Sequence, residues 1–183
     1  MKTFKQSLLT ACLFLGAAQT AMATCLPEKI YLTRHAEKLI EQGNRDPDLS
    51  AKGQARAKRI AEMFENIKVD HLLATPYKRT QQTLMPLGKA KNLEITEYDP
   101  RKGREFVEQL KNDYCKQTLV VSGHSNTVPN MLQALGIMFE VKVGGYTFKH
   151  QPSIILSEEE FGQLFAVSFN QGKPVLEVLS SNG

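Results

Sequence analysis

Apolar and polar positions follow two periodicities along the chain, and these predict strands that alternate with helices. Strand-like runs rich in β-branched or apolar residues lie at 28–33, 69–74, 93–98 and 118–121. Apolar residues at helical spacing predict helices over 50–64, from residue 77 to an interruption or end at Pro86, over 104–113 and over 127–135. Two further runs, 161–169 and 174–179, flank the turn-forming segment 170–173 and predict a closing hairpin.

This order of elements predicts the α/β class. Strands that alternate with helices are typical of a three-layer α/β/α sandwich with a mostly parallel central sheet. The run 118–121 is apolar throughout, as expected for a strand buried on both faces. Ligands bind such sheets at the carboxyl ends of the strands. Arg34-His35 and His124 each follow a predicted strand, so we expect them to lie at this edge.

The first 23 residues are typical of a bacterial secretory signal peptide. Lys2 and Lys5 precede an apolar run over 8–18, and Ala21-Met22-Ala23 supplies a small-x-small cleavage pattern. We therefore expect removal of residues 1–23, a mature domain over 24–183, and a periplasmic or secreted protein. A first core helix or a membrane anchor is the alternative for this segment.

Composition and charge exclude several classes of partner. Hydrophobic residues make up 42% of the 183 positions and charged residues 23%, which is ordinary for a globular protein. The net charge of +4 falls to about +2 without the two N-terminal lysines. This balance favours neither a nucleic-acid partner nor a membrane surface, and the mature chain has no second apolar run that could span a bilayer.

Four short blocks of residues carry the candidate chemistry. They are Tyr31-Leu32-Thr33-Arg34-His35-Ala36-Glu37, Leu49-Ser50-x-x-Gly53, Ala74-Thr75-Pro76-x-x-Arg79-Thr80 and Val121-Ser122-Gly123-His124-Ser125-Asn126. In this order the blocks resemble the histidine phosphatase superfamily, which includes phosphoglycerate mutase-like enzymes and phosphohistidine phosphatases. Ala36 stands where many members have glycine. The resemblance extends to about Gly136.

The resemblance implies a phosphoglycerate mutase-like fold and assigns roles by motif. His35 would be the nucleophile that is phosphorylated in turnover, and Arg34, Arg79 and His124 would bind the phosphate, with Ser125 as a further substrate-binding candidate. Guanidinium groups match phosphate oxygens with paired donors, so two arginines suit this role. The scheme needs no metal and no cofactor. It predicts an exported phosphatase for a small or surface-linked phosphomonoester.

The group that protonates the leaving oxygen is left open. An alkoxide departs poorly, so a general acid is expected. Asp99, Glu105 and Glu37 are the candidates, with Asp99 named first. Asp99 is equally typical of a turn residue and Glu105 of a first-turn helix carboxylate. Phosphohistidine phosphatases of the family lack this acid because a phosphoramidate leaves more easily.

Three other functions compete with a phosphomonoesterase. A phosphohistidine phosphatase is one, and a module that binds phosphate without turnover is another. A metal hydrolase is the third, but the four histidines of the chain show no ligand spacing such as His-x-x-x-His.

Two cysteines remain after the signal peptide, and an even pair permits a disulfide in an oxidising compartment. Cys25 lies ten residues before His35, and Cys115 lies nine before His124. If the two histidines meet from neighbouring parallel strands, the cysteines begin those strands at matching height. The sequence therefore predicts a Cys25–Cys115 bond.

Overall fold

The structure is a computed structural model, and it describes residues 25–143, 146–148, 154–157 and 159–181. The predicted signal peptide over 1–23 lies outside the described residues. In chain order the elements are β1 (Lys29–Arg34), α1 (Ala51–Met63), β2 (His71–Ala74), α2 (Lys78–Lys91), β3 (Ile95–Glu97), α3 (Gly103–Asp113), β4 (Thr118–Gly123), α4 (Thr127–Ala134), β5 (Val141–Val143), β6 (Tyr146–Phe148), β7 (Gln163–Asn170) and β8 (Lys173–Ser180).

A six-stranded sheet in the order β3-β2-β4-β1-β7-β8 forms the centre of the fold. The first four strands in that order are parallel to one another, whereas β7 and β8 are antiparallel to their neighbours. The α/β class is confirmed. The sheet is mixed, because the closing hairpin joins it along β1 and adds two antiparallel pairings. A separate two-stranded ribbon pairs β5 with β6, and no sequence pattern predicted it.

Apolar side chains pack on both faces of this sheet. One cluster joins residues of α3 and α4, such as Val107 and Met131, to Leu32 and Val121 of the strands. A second cluster joins Ile60 of α1 and Leu87 of α2 to the opposite sheet face. Neighbouring strand residues belong to different clusters because successive side chains of a strand point to opposite faces.

Helix α2 continues through Pro86, so the predicted interruption at this proline is wrong. Proline removes one backbone donor and strains the helix. The buried residues Leu84 and Leu87 lie on either side of it and are fully inaccessible to solvent. Burial of two leucine side chains contributes about 3–6 kcal/mol, enough to offset a proline cost of about 3 kcal/mol.

The structure contains a disulfide between Cys25 and Cys115, whose Cα atoms are 5.0 Å apart. Cys25 precedes β1 and Cys115 precedes β4, and these two strands are parallel neighbours in the sheet. The bond therefore fastens the amino ends of the strands whose carboxyl ends bear His35 and His124. No helix within the described residues is both long and apolar enough to cross a bilayer.

Candidate active site

The pairing of β1 with β4 brings the two motif histidines together. Arg34 lies opposite Gly123 in the parallel register, and the His35 amide extends the ladder by donating to the Gly123 carbonyl at 2.9 Å. The next residue of each strand is then a histidine. The centroids of the His35 and His124 rings are 5.6 Å apart. The predicted meeting of the histidines at the carboxyl edge of the sheet is what the structure shows.

The side chain of His35 is held with one nitrogen ready to attack. Its Nδ1 lies 2.8 Å from the Ala36 carbonyl oxygen. A carbonyl can only accept, so Nδ1 bears the proton and Nε2 keeps its lone pair. The Ala36 peptide is itself fixed, because its amide donates to the Thr83 hydroxyl of α2 at 2.9 Å.

Burial keeps His35 neutral. The ring is 4% exposed, and loss of hydration is the main cause that lowers its pKa from 6.5 to about 3. The hydrogen bond to Ala36 acts in the opposite direction, and the positive charges of Arg34 and Arg79 add to the lowering. At neutral pH His35 is therefore an uncharged imidazole.

A chain of hydroxyl groups orients His124. The Thr80 hydroxyl donates to the Tyr77 carbonyl at 2.7 Å and lies 2.8 Å from the Thr75 hydroxyl. Thr75 then donates to Thr80 and accepts from His124 Nε2 at 3.0 Å. The proton of the neutral ring is thus on Nε2. Its Nδ1 lies 3.4 Å from Nη2 of Arg79. Burial is the main cause that lowers the pKa of His124 to about 4, and the positive charges of Arg79 and Arg34 add to this lowering.

The two motif arginines are anchored by different segments. Arg34 is 3% exposed, and its Nη1 donates to the Ser157 carbonyl at 2.6 Å, while its guanidinium lies over the Phe161 ring. Arg79 lies 4.6 Å from the centre of the Tyr77 ring and 3.6 Å from a carboxylate oxygen of Asp46. Residues of the segment after α4 therefore hold the Arg34 side chain in place. No sequence motif indicated these contacts.

One cavity of about 400 Å³ collects these groups. Its lining residues are Arg34, His35, Lys38, Tyr77, Arg79, Pro100, Arg101, His124, Ser125, Asn126 and Thr127. All four predicted phosphate-pocket residues and Ser125 are among them. Sequence reasoning missed Lys38, Tyr77 and Arg101. Tyr77 and Lys38 lie within or directly beside the motif blocks, so their positions were the available signal.

The structure does not bring Asp99 into this cavity as a proton donor. Both of its carboxylate oxygens accept hydrogen bonds from Arg101, at 2.9 Å from Nε and 2.8 Å from Nη2. The hydrogen bonds from Arg101 lower the pKa of Asp99 to about 2, so the group is ionised at neutral pH. A carboxylate without a proton cannot donate one.

Glu37 and Glu105 also lie elsewhere. Glu37 makes a bidentate pair with the buried Arg56, at 2.8 and 2.7 Å. Burial raises the pKa of Glu37, but the hydrogen bonds and charge of Arg56, a backbone hydrogen bond and Lys52 together outweigh burial and lower the pKa to about 2. Glu105 lines a different cavity, next to Phe106 and Tyr114. None of the three sequence candidates for the acid is placed to protonate a leaving group at His35.

Part of the chain resembles a known protein family. Residues 30–101 match the profile of the histidine phosphatase superfamily (branch 1). This match covers less than half of the chain, and it shows the likeness of that segment to the superfamily. The matched range covers β1 to the turn after β3, and so includes Arg34, His35 and Arg79. This confirms the family resemblance of the first three motif blocks.

Among curated relatives, phosphoserine phosphatase 1 of Hydrogenobacter thermophilus is 38% identical over 76 residues. The match covers 39% of this chain and 36% of that relative, so it spans about a third of the relative's length. Within the described part of the chain, no group of three or more histidine, cysteine or acidic side chains is placed to hold a metal ion.

Solved structures extend the likeness of the fold to the whole domain. The protein histidine phosphatase SixA complexed with tungstate has a TM-score of 0.62 at 16% identity, over 84% of this chain and 97% of the other. The alpha-ribazole phosphatase of Shigella flexneri has a TM-score of 0.62 at 13% identity, over 83% and 96%. These likenesses concern the fold alone.

Proposed function

We propose that this protein is an exported phosphatase that transfers a phosphoryl group from its substrate to His35 Nε2 and then to water. The observation that carries the proposal is the state of His35. It is buried, neutral, fixed in the Nδ1–H tautomer and within one cavity with Arg34, Arg79 and His124. A nucleophile and three phosphate-binding groups are thus assembled before substrate arrives.

The proposed reaction has two steps, phosphoryl transfer to His35 and then to water. In the first, the Nε2 lone pair forms a bond to phosphorus as the bond from phosphorus to the leaving group breaks. The imidazole gains positive charge, and the Ala36 carbonyl stabilises it through Nδ1–H. In the second, water attacks phosphorus, the N–P bond breaks, and its electron pair returns to Nε2. The protons of the water leave with the product phosphate or pass to solvent, and His35 is restored. Arg34 and Arg79 neutralise the charge on the equatorial oxygens in both steps.

His124 provides a proton at the phosphoryl oxygens. Entry of a phosphate dianion places negative charge beside its Nδ1, which favours protonation there. The protonated ring then donates to a phosphoryl oxygen while Nε2–H stays bonded to Thr75. The His124→Asn variant should bind phosphate more weakly and lower the rate, because it loses this added positive charge.

The cavity favours substrates whose leaving group departs with little help. No carboxylate is among the described residues that line it. This observation supports the second candidate function, hydrolysis of a phosphoramidate such as phosphohistidine, beside the hydrolysis of phosphomonoesters. A nitrogen leaving group needs less protonation assistance in the transition state than an alkoxide does.

A series of aryl phosphates with graded leaving-group pKa values tests this proposal, together with an alkyl phosphate and phosphoramidate. We expect kcat/KM to fall steeply as the leaving-group pKa rises, and phosphoramidate to be hydrolysed faster than the alkyl ester. A flat dependence would show an efficient general acid and refute this part of the proposal. His35→Ala should abolish turnover while phosphate still binds. If the native protein also binds phosphate without turnover, the protein is a binding module.

Export rests on two independent features. The first 23 residues have the pattern of a signal peptide, and the structure contains the Cys25–Cys115 bond. Disulfides persist in oxidising compartments and are rare in a reducing cytosol. We therefore place the phosphatase in the periplasm or outside the cell. The intact mass of the protein recovered from a periplasmic extract tests this, and the mature chain should begin at Thr24.

A further inference from the structure

Three of the partners that hold the Arg34 side chain are neutral. Its Nη1 donates to the backbone carbonyls of Ser157 at 2.6 Å and of Glu160 at 3.5 Å. Its guanidinium carbon lies 4.3 Å from the centre of the Phe161 ring. A carbonyl dipole or an aromatic face attracts a cation without cancelling its charge. These three contacts therefore fix the guanidinium and leave its positive charge available to a phosphate.

The antiparallel strand β7 brings Phe161 to the motif Arg34-His35. Thr33 lies opposite Leu164 in the register of β1 with β7, so the residues that precede β7 run beside the carboxyl end of β1. Gly162 has a φ of 95°, a left-handed conformation that favours glycine, and it turns the chain between Phe161 and the strand. An aromatic residue at this point of the chain therefore meets the same sheet edge as the motif.

The same ring lies beside His35. The centroids of the Phe161 and His35 rings are 6.2 Å apart, within the usual range for an aromatic pair. His35 is 4% exposed, and burial is the main cause that lowers its pKa. The charged groups that act on His35 are Arg34 and Arg79, and His124 is the titratable ring next to it. Phe161 therefore contributes apolar surface to the burial that keeps the imidazole neutral.

Phe161 acts through other side chains. The described residues that line the catalytic cavity do not include it, whereas Arg34 and His35 both line that cavity. An apolar ring also has no group that could donate to a phosphate or move a proton. An effect of Phe161 on the site is therefore exerted through Arg34 and His35.

We propose that Phe161 is a positioning residue, which fixes the guanidinium of Arg34 for the phosphate and shields the ring of His35 from water. The inference rests on the proposed function, because it assumes that phosphate binds at these two side chains. It gives a part in the site to the segment before β7, which lies outside the residues 30–101 that match the family profile.

Three substitutions at Phe161 separate the two effects in the mature protein. Phe161→Leu keeps an apolar side chain but removes the aromatic face, Phe161→Ala removes both, and Phe161→Tyr keeps the ring. Titration calorimetry gives the Kd of inorganic phosphate, and an NMR titration in phosphate-free buffer gives the pKa of His35.

Each substitution has a distinct expected result. Phe161→Leu should weaken phosphate binding about tenfold while His35 titrates as in the native protein, because a desolvated cation–π contact is lost and burial is kept. Phe161→Ala should weaken phosphate binding to a similar extent and also raise the pKa of His35, because water reaches the ring. The acid limb of kcat/KM for p-nitrophenyl phosphate should move to higher pH with it. Phe161→Tyr should stay within about twofold of the native Kd.

Phe169→Leu is the matched control, since it makes the same substitution near the other end of β7, where Phe169 packs against a core cluster. It should leave the Kd of phosphate and the pKa of His35 unchanged. Native phosphate affinity in Phe161→Leu would overturn the proposal, and so would an unchanged His35 titration in Phe161→Ala or equal effects of Phe169→Leu. If the calorimetric and NMR effects are found but the native protein does not hydrolyse p-nitrophenyl phosphate, the positioning role stands and the catalytic proposal alone fails.

Discussion

Burial of a neutral histidine makes the stability of this protein depend on pH in a defined direction. The pKa of His35 is lowered from 6.5 to about 3 in the folded protein, mainly by burial. Between these two values the unfolded chain binds a proton that the native state does not. Stability is therefore fully present above the unfolded pKa and is lost as the pH falls toward 3. From near pH 7 to near pH 4.5 the contribution of His35 amounts to about 2.5 kcal/mol.

The His35→Gln variant isolates this contribution. Urea unfolding followed by circular dichroism would give the free energy of unfolding of both proteins near pH 7 and near pH 4.5, in phosphate-free buffer. Phosphate must be absent because an anion in the cavity would raise the histidine pKa. Other titrating groups are common to both proteins and cancel in the difference. We expect the native protein to lose about 2.5 kcal/mol more than the variant over this interval.

Two outcomes would refute the reasoning. An equal loss in both proteins would mean that His35 titrates alike in the folded and unfolded states. An NMR titration showing the His35 ring protonated near pH 6 would contradict the burial argument directly. The same NMR experiment reports on His124, whose pKa is lowered to about 4 and should shift in the same direction.

Three further predictions follow from packing, the disulfide and the turn before α3. Gly53→Ala should lower the free energy of unfolding by more than about 2 kcal/mol in a urea titration, because the added Cβ would overlap the Glu37 carbonyl oxygen; ordinary stability would contradict this contact. Reduction of the Cys25–Cys115 bond, which closes a separation of 90 residues, should lower it by about 4–5 kcal/mol on the chain-entropy model, and two free thiols in the denatured, unreduced protein would show that the bond is absent. Asp99→Asn should leave kcat/KM for p-nitrophenyl phosphate within about twofold, since Asp99 is no proton donor; a loss that grows with leaving-group pKa would restore it to that role.

The sequence predicted which of its residues would share one cavity, because each is tied to a local feature of the chain. Arg34-His35 and His124 directly follow strands, and residues that follow parallel strands meet at one edge of a sheet. The disulfide followed from the same register argument. Element bounds differ by a few residues, as at β3, where the predicted 93–98 is reduced to Ile95–Glu97. These boundaries depend on pairing with β2, which no local pattern shows.

None of the three candidate proton donors lines the cavity beside His35, and the cause is the direction of each side chain in the folded protein. The sequence offered each candidate because of its place along the chain. Glu37 lies two residues after His35, and Asp99 and Glu105 follow the predicted strand over 93–98. Whether a carboxylate faces the nucleophile or an arginine depends on side-chain direction and on its nearest cation. Arg56 lies 19 residues from Glu37 and forms an ion pair with it, and Arg101 forms an ion pair with Asp99. Distance along the chain does not show which of these carboxylates pairs with an arginine and which faces His35.

The sequence by itself determined the α/β class and predicted the family likeness and the phosphate-binding residues, because these follow from local motifs and from the order of strands and helices. Only the tertiary structure decided the tautomers of His35 and His124, the anchoring of Arg34 by the segment after α4 and the position of Arg101 at the cavity. Each of these depends on contacts between residues far apart in the chain, or on the direction in which a side chain points. Burial and electrostatic environment arise from packing, and packing keeps the ring of His35 neutral and places it near the positive charges of Arg34 and Arg79.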